Sequence, residues 1–513
     1  MIRAARLLSF LTGFLSLSQE ILWVRFAGFS YHGAPQAFGM ILGLYLLGIA
    51  VGAGIGKRYC SSGHNLFRVA GILLFTAGVL DAFFPFLATE AFGVSNTMGT
   101  VVLFACVVIT SLIKSKIFPI AHHLGAATSG GKVGSSVSKV YFANIVGSTF
   151  GPLVTGFVLL QVLTLQQCFM LMAGLTLLTA AYCWHVAAAP SRRFVLAGSI
   201  AVTILLLLLP GVLLPRLVAG TSSYFQGTFR SAVENRYGII HLLDTPDGDV
   251  TVFGGNAYDG TLNIDFMRDS NWISRLYALA TVKPKPARVL VIGMSAGSWT
   301  RVLSSFPGVE RIDVVEINPG YKEIIGQYAA VSPLLNDPLV HMHFDDGRRW
   351  LKRHPGETYD LIVMNTTFHW RAYSTILLSR EFLGLLREHM NPDAVLAYNS
   401  TFSWDVFKTA SVVFPEVYTF GNFVIAGEKL TLPPEEEAIA RMAALTLDGR
   451  QMLETSKPEV LLKLRETIHR FEPFATVCDE KEKSGHRPLE VITDQNMLTE
   501  FRYGKSIFFA AER

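Results

Sequence analysis

The residues best suited to chemistry lie in the second half of the chain, where apolar runs end in short polar segments. The run 288–292 leads into Gly293-Met-Ser-Ala-Gly297, and the run 311–317 carries Glu316 near its end. A turn with glycines lets a ligand approach the backbone, and an acidic side chain about 20 residues later can accept hydrogen bonds from ribose hydroxyls. A third run ends at Asp346, where a carboxylate can meet an adenine amino group. Together these segments predict a nucleoside site.

Strands that alternate with helices must hold these segments together. Five apolar runs of strand length, separated by helix-like stretches, predict a parallel, doubly wound sheet of the Rossmann-like kind. Ligands bind such sheets at the carboxyl ends of the strands, which is where the polar segments fall. A hairpin pattern within 223–265 and a helix over 272–282 come first. The predicted strands are 288–292, 311–317, 341–346, 359–365 and 394–399.

The glycine turn also allows other interpretations. Ser295 and Ser298 stand where a dinucleotide enzyme would have glycines, which disfavours NAD. The turn also fits G-x-S-x-G, the nucleophile elbow of serine hydrolases, with Ser295 as nucleophile and His369 or His389 as base. That alternative is the weaker one, because an elbow normally follows several strands and because it leaves the carboxylates at the strand ends without a role.

The first half of the chain is predicted to lie in a membrane. Half of the 513 residues are hydrophobic and only 16% are charged, against about a quarter in soluble proteins. The net charge of +4 and the lack of a dense basic run argue against nucleic acid as a partner. The five cysteines form no C-x-x-C pair, so neither a disulfide framework nor a metal site is predicted. The predicted spans are 7–29, 37–56, 67–87, 99–121, 141–163, 166–187 and 194–214.

Several of these spans contain ionisable side chains. We predict that they pair between helices, Glu20 or Asp81 with Arg25 or Lys114, because an unpaired charge within a bilayer is costly. A polar substrate cavity among the spans is the alternative. Glycines four residues apart, such as Gly147 and Gly151, predict close helix packing.

Three motifs of the first half and four of the second half point to a known family. They are Gln19-Glu-Ile-Leu-Trp-Val-Arg25, Leu46-Leu-Gly-Ile-Ala-Val-Gly52, Lys139-Val-Tyr-Phe-Ala-Asn-Ile-Val-Gly-Ser-Thr-Phe-Gly151, Val314-Val-Glu316-Ile-Asn318-Pro, Asp346-Gly-Arg348-Arg-Trp-Leu, Tyr359-Asp-Leu-Ile-Val and Leu378-Ser-Arg-Glu-Phe382. On these motifs, residues 233–426 resemble the spermidine synthase (polyamine aminopropyltransferase) family, and the first half resembles the multi-span region of its membrane-bound members. The resemblance implies a β-rich lid over a Rossmann-like domain, S-adenosylmethionine or its decarboxylated form as substrate, no metal, and a homo-oligomer.

By this resemblance Glu316 holds the ribose and Asp346 the adenine. The chain departs from the family at two acids, since Ala296 replaces the acid of the glycine turn and Asn365 replaces the catalytic acid after the fourth strand. The predicted nucleoside-binding residues are Gly293, Ser295, Ala296, Gly297, Glu316, Ile317, Asp346 and Gly347. The predicted catalytic residues are Asn365, Thr366, His369 and Arg371.

These departures favour intact S-adenosylmethionine, because no acid at the turn repels its carboxylate. Hydroxyls and N–H groups of the turn, with Arg371, are predicted to bind that carboxylate. Cleavage at the γ-carbon would release 5′-methylthioadenosine, by transfer to an acceptor or by attack from the methionine tail itself. The alternatives are an ordinary aminopropyltransferase that makes spermidine from putrescine, and a transporter or sensor that binds a nucleoside without turnover.

Four segments are predicted: a membrane domain (1–215), a lid (223–282), a Rossmann-like domain (283–432) and a helical extension (433–513). Alternate connections hold the basic residues, which places the N-terminus in the cytoplasm by the positive-inside rule. Seven spans then put the soluble half outside, whereas its substrate is cytoplasmic. We predict a multi-pass inner-membrane protein with a cytoplasmic soluble half, which requires an even number of spans or a re-entrant segment. The basic residues are Arg3, Arg6, Lys57, Arg58, Arg68, Lys132, Lys139, Arg192 and Arg193.

Overall fold

Apolar helices make up the first part of the chain in the computed structural model, which describes residues 1–61, 63–127, 133–188, 192–222, 227–485 and 487–505. Lys132, the start of the predicted lid at 223–226 and the end of the predicted extension at 506–513 lie outside these ranges. The helices are α1 (Ile2–Ser30), α2 (Gln36–Gly56), α3 (Leu66–Val94), α4 (Asn96–Ser115), α5 (Ile117–Ala127), α6 (Val133–Val154), α7 (Leu160–Val162), α8 (Leu165–Val186), α9 (Arg192–Leu207) and α10 (Leu213–Thr221).

Within the described residues, six helical segments are long and apolar enough to cross a membrane. The seventh predicted span corresponds to α9, an apolar helix of 16 residues. At 1.5 Å per residue α9 is about 24 Å long, shorter than a typical hydrocarbon core. It packs along α8, where Thr203 fills the space beside Gly174. Gln166, at the start of α8, bonds the backbone of Pro210 and Leu213, so α9 runs the length of its neighbour.

Small residues set the helix spacing, as the sequence predicts. A Cβ added at Gly147 would collide with the carbonyl of Phe10 on α1, and one at Gly48 would collide with the Ser111 hydroxyl on α4. Backbones can approach this closely only where a side chain is missing, which is the usual basis of helix association in membranes.

The predicted pairing of charges inside the helical region is found for one pair. Lys114 Nζ lies 2.6 Å from Asp81 Oδ2, and both side chains are at most 2% exposed. Arg25 makes a different contact, because its guanidinium donates to the carbonyl of Asn235 at 2.6 Å. Asn235 belongs to the soluble half, so Arg25 ties α1 to the lid rather than to a neighbouring helix.

The soluble half begins with a four-stranded antiparallel sheet and continues with an eight-stranded mixed sheet. The first comprises β1 (Thr228–Asn235), β2 (Gly238–Asp244), β3 (Val250–Gly254) and β4 (Ala257–Thr261). After α11 (Ser274–Val282) come β5 (Arg288–Ile292), α12 (Ser298–Leu303), β6 (Arg311–Glu316), α13 (Gly320–Ile325), β7 (Val340–Phe344), α14 (Gly347–Arg353), β8 (Tyr359–Met364), α15 (Arg380–Glu388), β9 (Met390–Asn399), α16 (Trp404–Ser411), β10 (Glu416–Phe420), β11 (Phe423–Gly427), α17 (Glu435–Ala443), β12 (Thr446–Leu447), β13 (Arg450–Gln451), α18 (Pro458–Ile468), β14 (Phe471–Pro473), α19 (Phe474–Ser484) and α20 (Leu498–Phe501).

The order of the large sheet is β14-β10-β11-β9-β8-β5-β6-β7. Strands β5 to β9 are parallel to one another, which confirms the Rossmann-like prediction. Three further strands extend the sheet with antiparallel pairings that the sequence analysis does not include. The chain runs outward from β5 through β6 and β7 and then returns to β8. This reversal opens a crevice between the ends of β5 and β8, where such sheets bind ligands.

The small sheet packs against one end of the helical region. Ile239, Leu243 and Phe253 share a buried apolar cluster with residues of α1 and α8. Glu234 accepts a hydrogen bond from the Leu165 N–H at 2.8 Å. The contact side is formed by the connections at 31–35 and 163–164, which contain no Lys or Arg. The soluble half therefore lies at the end of the helices that is poor in basic residues.

The number of passages gives a test of topology. We predict that α9 crosses together with the six longer segments, so that reporters fused after Gly63 and after Arg513 lie on opposite sides of the membrane. The two reporters are a fluorescent protein, which reports a cytoplasmic position, and a phosphatase, which reports an external one. Fluorescence of the fusion at Arg513 together with phosphatase activity of the fusion at Gly63 would place the soluble half in the cytoplasm, where its predicted substrate is. The reverse pair would follow the positive-inside rule and require a substrate supplied from outside. The same readout from both fusions would contradict the seven passages.

Candidate active site

Glu316 links the ends of two neighbouring strands. Its Oε2 accepts a hydrogen bond from the Met294 N–H in the glycine turn at 2.8 Å, and its Oε1 accepts one from the Asn318 N–H at 2.8 Å. The side chain is 6% exposed. Two backbone donors thus fix the carboxylate at the carboxyl end of β6, which is where a ribose would meet it.

Burial raises the pKa of Glu316 to about 7, the nearby Asp259 adds to the rise, and the backbone N–H groups counter part of it. The carboxylate form, which the predicted role in ribose binding requires, therefore becomes dominant as the pH rises through about 7. The affinity for a nucleoside should increase over the same interval.

Glu316→Gln should weaken nucleoside binding by about 1.5–3 kcal/mol, the range for hydrogen bonds to charged groups. Calorimetry with methylthioadenosine measures this directly. Glu323→Gln, on the exposed face of α13, is the matched control and should leave the affinity unchanged. Equal affinities for the wild type and Glu316→Gln would remove Glu316 from the site.

Asp346 and Gly347 form the start of α14. Asp346 Oδ1 caps the helix by accepting from the Arg349 N–H at 2.8 Å, which leaves Oδ2 for a ligand. A Cβ on Gly347 would lie 2.8 Å from Ile292 Cγ2, so the absence of a side chain lets the helix lie against β5. The structure therefore places Asp346 one strand beyond Glu316, at the same edge of the sheet.

The lid covers the glycine turn. The hydroxyl of Ser295 donates to the carbonyl of Asp259, and that of Ser298 donates to the carbonyl of Thr261 at 2.6 Å. Gly260, with φ 153°, crosses directly above, and a Cβ there would lie 2.9 Å from the Ser295 hydroxyl. Both serine hydroxyls donate to lid carbonyls, so the predicted binding of a substrate carboxylate by these hydroxyls requires the lid to release them.

These contacts also argue against a serine hydrolase. His369 Nδ1 lies 2.9 Å from the Thr401 carbonyl, and His389 Nδ1 lies 2.7 Å from the Glu357 carbonyl. Among the described residues, no histidine is hydrogen-bonded to Ser295.

A cavity of about 190 Å³ lies between the lid, α12 and the ends of β8 and β9. Asn365 and Thr366, two of the predicted catalytic residues, line it. Asn365 Oδ1 accepts from Asn399 Nδ2 at 3.2 Å, so its amide N–H groups remain for a ligand. The lining residues are Tyr258, Asp259, Ser270, Asn271, Trp272, Arg275, Trp299, Asn365, Thr366, Thr367, Phe368, Asn399, Thr401, Phe402 and Asn422.

The other two predicted catalytic residues lie outside this lining. His369 is bonded through both its backbone N–H and its ring to Thr401, and burial lowers its pKa. Arg371 donates to Thr367 at 2.7 Å, and its guanidinium lies against Gly33 and Gly255. The predicted contact of Arg371 with a substrate carboxylate is therefore not formed, because its side chain fills the junction between the lid and the α1–α2 connection.

Asp259 is the only acidic residue among those that line the cavity. Its carboxylate accepts from the Tyr321 hydroxyl, and burial raises its pKa above the ordinary value, while Arg371 partly offsets that rise. Sequence reasoning missed Asp259, and it also missed Arg275 and Trp299. None of the three belongs to a motif. A carboxylate in the lid, directly opposite the turn, is the signal that could have pointed to Asp259.

Comparison with known proteins identifies the soluble half. Residues 276–412 match the family described as the spermine/spermidine synthase domain. The polyamine aminopropyltransferase of Vibrio vulnificus is 30% identical over 172 residues, which cover 31% of this chain and 56% of the relative. The chain contains a spermine/spermidine synthase domain.

One further relative and one crystal structure are also similar to parts of this chain. Spermidine synthase 2 of Datura stramonium is 36% identical over 127 residues, covering 23% of this chain and 40% of the relative. A crystal structure of spermidine synthase in complex with the transition state analogue AdoDATO matches with a TM-score of 0.35 and 18% identity, covering 46% of this chain and 88% of that one. The chain spans about half the length of the matching polyamine aminopropyltransferases of Vibrio vulnificus and Streptococcus pneumoniae.

Proposed function

We propose that this protein is a membrane-anchored enzyme that binds S-adenosylmethionine and cleaves it at the γ-carbon, releasing 5′-methylthioadenosine. Apolar helices 1–215, a lid 223–282, a catalytic domain 283–432 and an extension 433–513 are its proposed units, assembled as a homo-oligomer. The observation that carries the proposal is the line of polar groups at adjacent strand ends, with Glu316 and Asp346 on the nucleoside side and Asn365 at the cavity.

The reaction follows from the sulfonium. A nucleophile in the cavity forms a bond to the γ-carbon while the carbon–sulfur bond breaks, and the electron pair goes to sulfur, which becomes the neutral thioether of methylthioadenosine. An attacking amine must lose a proton. Asn365 has no basic group, so Asp259 is the proposed proton acceptor. Its raised pKa makes the Asp259 carboxylate a stronger base than an exposed aspartate.

Intact S-adenosylmethionine is the proposed substrate. Ala296 stands where the resemblance implies an acid, and its side chain is 2% exposed beneath the lid. Without a carboxylate at this position, the α-carboxylate of the methionine tail meets no repulsion there. The attacking group is an acceptor, or the amine or carboxylate of the tail itself.

One product assay tests the proposal. Purified protein is incubated with intact or decarboxylated S-adenosylmethionine, each with and without putrescine, and methylthioadenosine is measured by chromatography. Release from the intact form is expected. Methylthioadenosine only from the decarboxylated form with putrescine would establish ordinary spermidine synthesis instead. Binding without any release would establish a nucleoside sensor or transporter, which the loss of the acid at Asn365 favours as the second candidate.

A further inference from the structure

The lining of the cavity contains a buried cation in addition to the carboxylate of Asp259. Arg275 is 4% exposed and lines the cavity. Its donors reach neutral acceptors only: Asn399 Oδ1 at 2.5 Å, Asn422 Oδ1 at 3.0 Å, the Trp272 carbonyl at 3.0 Å and the Asn271 carbonyl at 3.1 Å. No carboxylate in the described part of the chain lies within ion-pair distance of it.

Aromatic rings hold the guanidinium in place. Its central carbon lies 5.0 Å from the ring centre of Trp299 and 5.2 Å from that of Phe423. Burial lowers the pKa of Arg275 to about 10, so the group stays charged at neutral pH. A charge that is removed from water needs a counter-charge, and the residues that the structure describes place no carboxylate in contact with this one.

The neighbouring groups offer donors as well. The indole N–H of Trp299, a side chain 3% exposed, has no hydrogen-bond partner among the described residues. The side-chain oxygen of Asn365 accepts from Asn399, and its amide N–H groups make no hydrogen bond within the described part of the chain. A diamine needs carboxylates around both ends, whereas this wall presents a guanidinium and N–H groups.

We propose that the cavity binds the carboxylate of an amino-acid group beside Arg275, with the amine of that group toward Asp259. The inference rests on the proposed function and specifies its substrate class. The carboxylate comes either from a separate amino-acid acceptor or from the methionine tail of the intact substrate. In either case the carboxylate of the ligand supplies the counter-charge that Arg275 lacks. The positive charge of Arg275 also disfavours putrescine, a dication, at the same site.

Calorimetry on the purified full chain distinguishes these cases. Methylthioadenosine is titrated first, and then 4-aminobutanoate and putrescine are titrated with and without it. These two probes differ mainly in one end group, a carboxylate against an ammonium. We expect 4-aminobutanoate to bind at least about tenfold more tightly than putrescine, because a hydrogen bond to a charged group contributes about that much affinity. If the carboxylate is that of the substrate tail, intact S-adenosylmethionine binds more tightly than the decarboxylated form by a similar factor.

Arg275→Met should remove the preference for whichever carboxylate ligand shows it, an affinity loss of about ten- to a hundredfold. Arg275→Lys should keep part of it. The affinity for methylthioadenosine, unchanged in both variants, shows that they are folded. Equal or tighter binding of putrescine, together with no preference for intact over decarboxylated substrate, would overturn the inference. Failure of the wild type to bind methylthioadenosine would instead overturn the proposed function, while the titrations without it still test Arg275.

Discussion

Replacing Asp259 by Asn should slow the release of methylthioadenosine by about 10²–10⁴-fold, the range that general-base catalysis contributes. Asn is the same size and can still accept from the Tyr321 hydroxyl, so the lid should keep its structure. What is lost is a group that can take the proton of the attacking amine. Nucleoside affinity should stay nearly unchanged, because Glu316 and Asp346 are untouched.

The pH dependence gives a second readout. Because a base acts only when it is deprotonated, the rate should increase as the pH rises through the raised pKa of Asp259. Asp259→Asn should lose this limb of the profile. Asp247→Asn, in the exposed hairpin turn of the same lid, is the matched control. An unchanged rate and pH profile in Asp259→Asn would show that the proton leaves by another route, such as solvent.

The positions of the proposed nucleoside-binding residues could be predicted from sequence because their geometry is local. Glu316 and Asp346 each follow a buried strand, and parallel strands bring their carboxyl ends to one edge of the sheet. The position of Glu316 relative to Asp346 therefore follows from the order of the strands in the sheet alone. Both residues lie where the pattern placed them, on β6 and immediately after β7.

The cavity could not be predicted in this way. Arg275 bonds to Asn399 and Asn422, which are 124 and 147 positions away in the chain. Asp259 reaches Tyr321 across 62 positions. Such contacts depend on how the lid packs onto the sheet, which no short motif encodes. The prediction for Arg371 went astray in the opposite way. A basic residue in a polar cluster suggested a ligand contact, whereas its side chain packs against Gly33 in the α1–α2 connection.

Within the helical region, the ion pair of Asp81 and Lys114 is predicted to have a large effect on stability. Lys114→Met should lower the free energy of unfolding by about 3–5 kcal/mol, because it leaves Asp81 as an uncompensated charge in an apolar environment. Asp81 is fully buried and lies beside Thr110 and Thr176, which cannot replace the positive charge. Titration with sodium dodecyl sulfate in mixed micelles measures the loss.

The control variants separate a structural pair from a functional one. Lys116→Met, two residues further along and only half-buried, should cost far less. The double variant Asp81→Asn with Lys114→Met removes both charges and should recover most of the stability, since replacing a whole buried pair is often neutral. If the double variant is stable and still releases methylthioadenosine at the wild-type rate, the pair serves helix packing alone. A stable double variant that has lost activity would show that this charge pair, although it lies within the helices, is needed for activity at the soluble site.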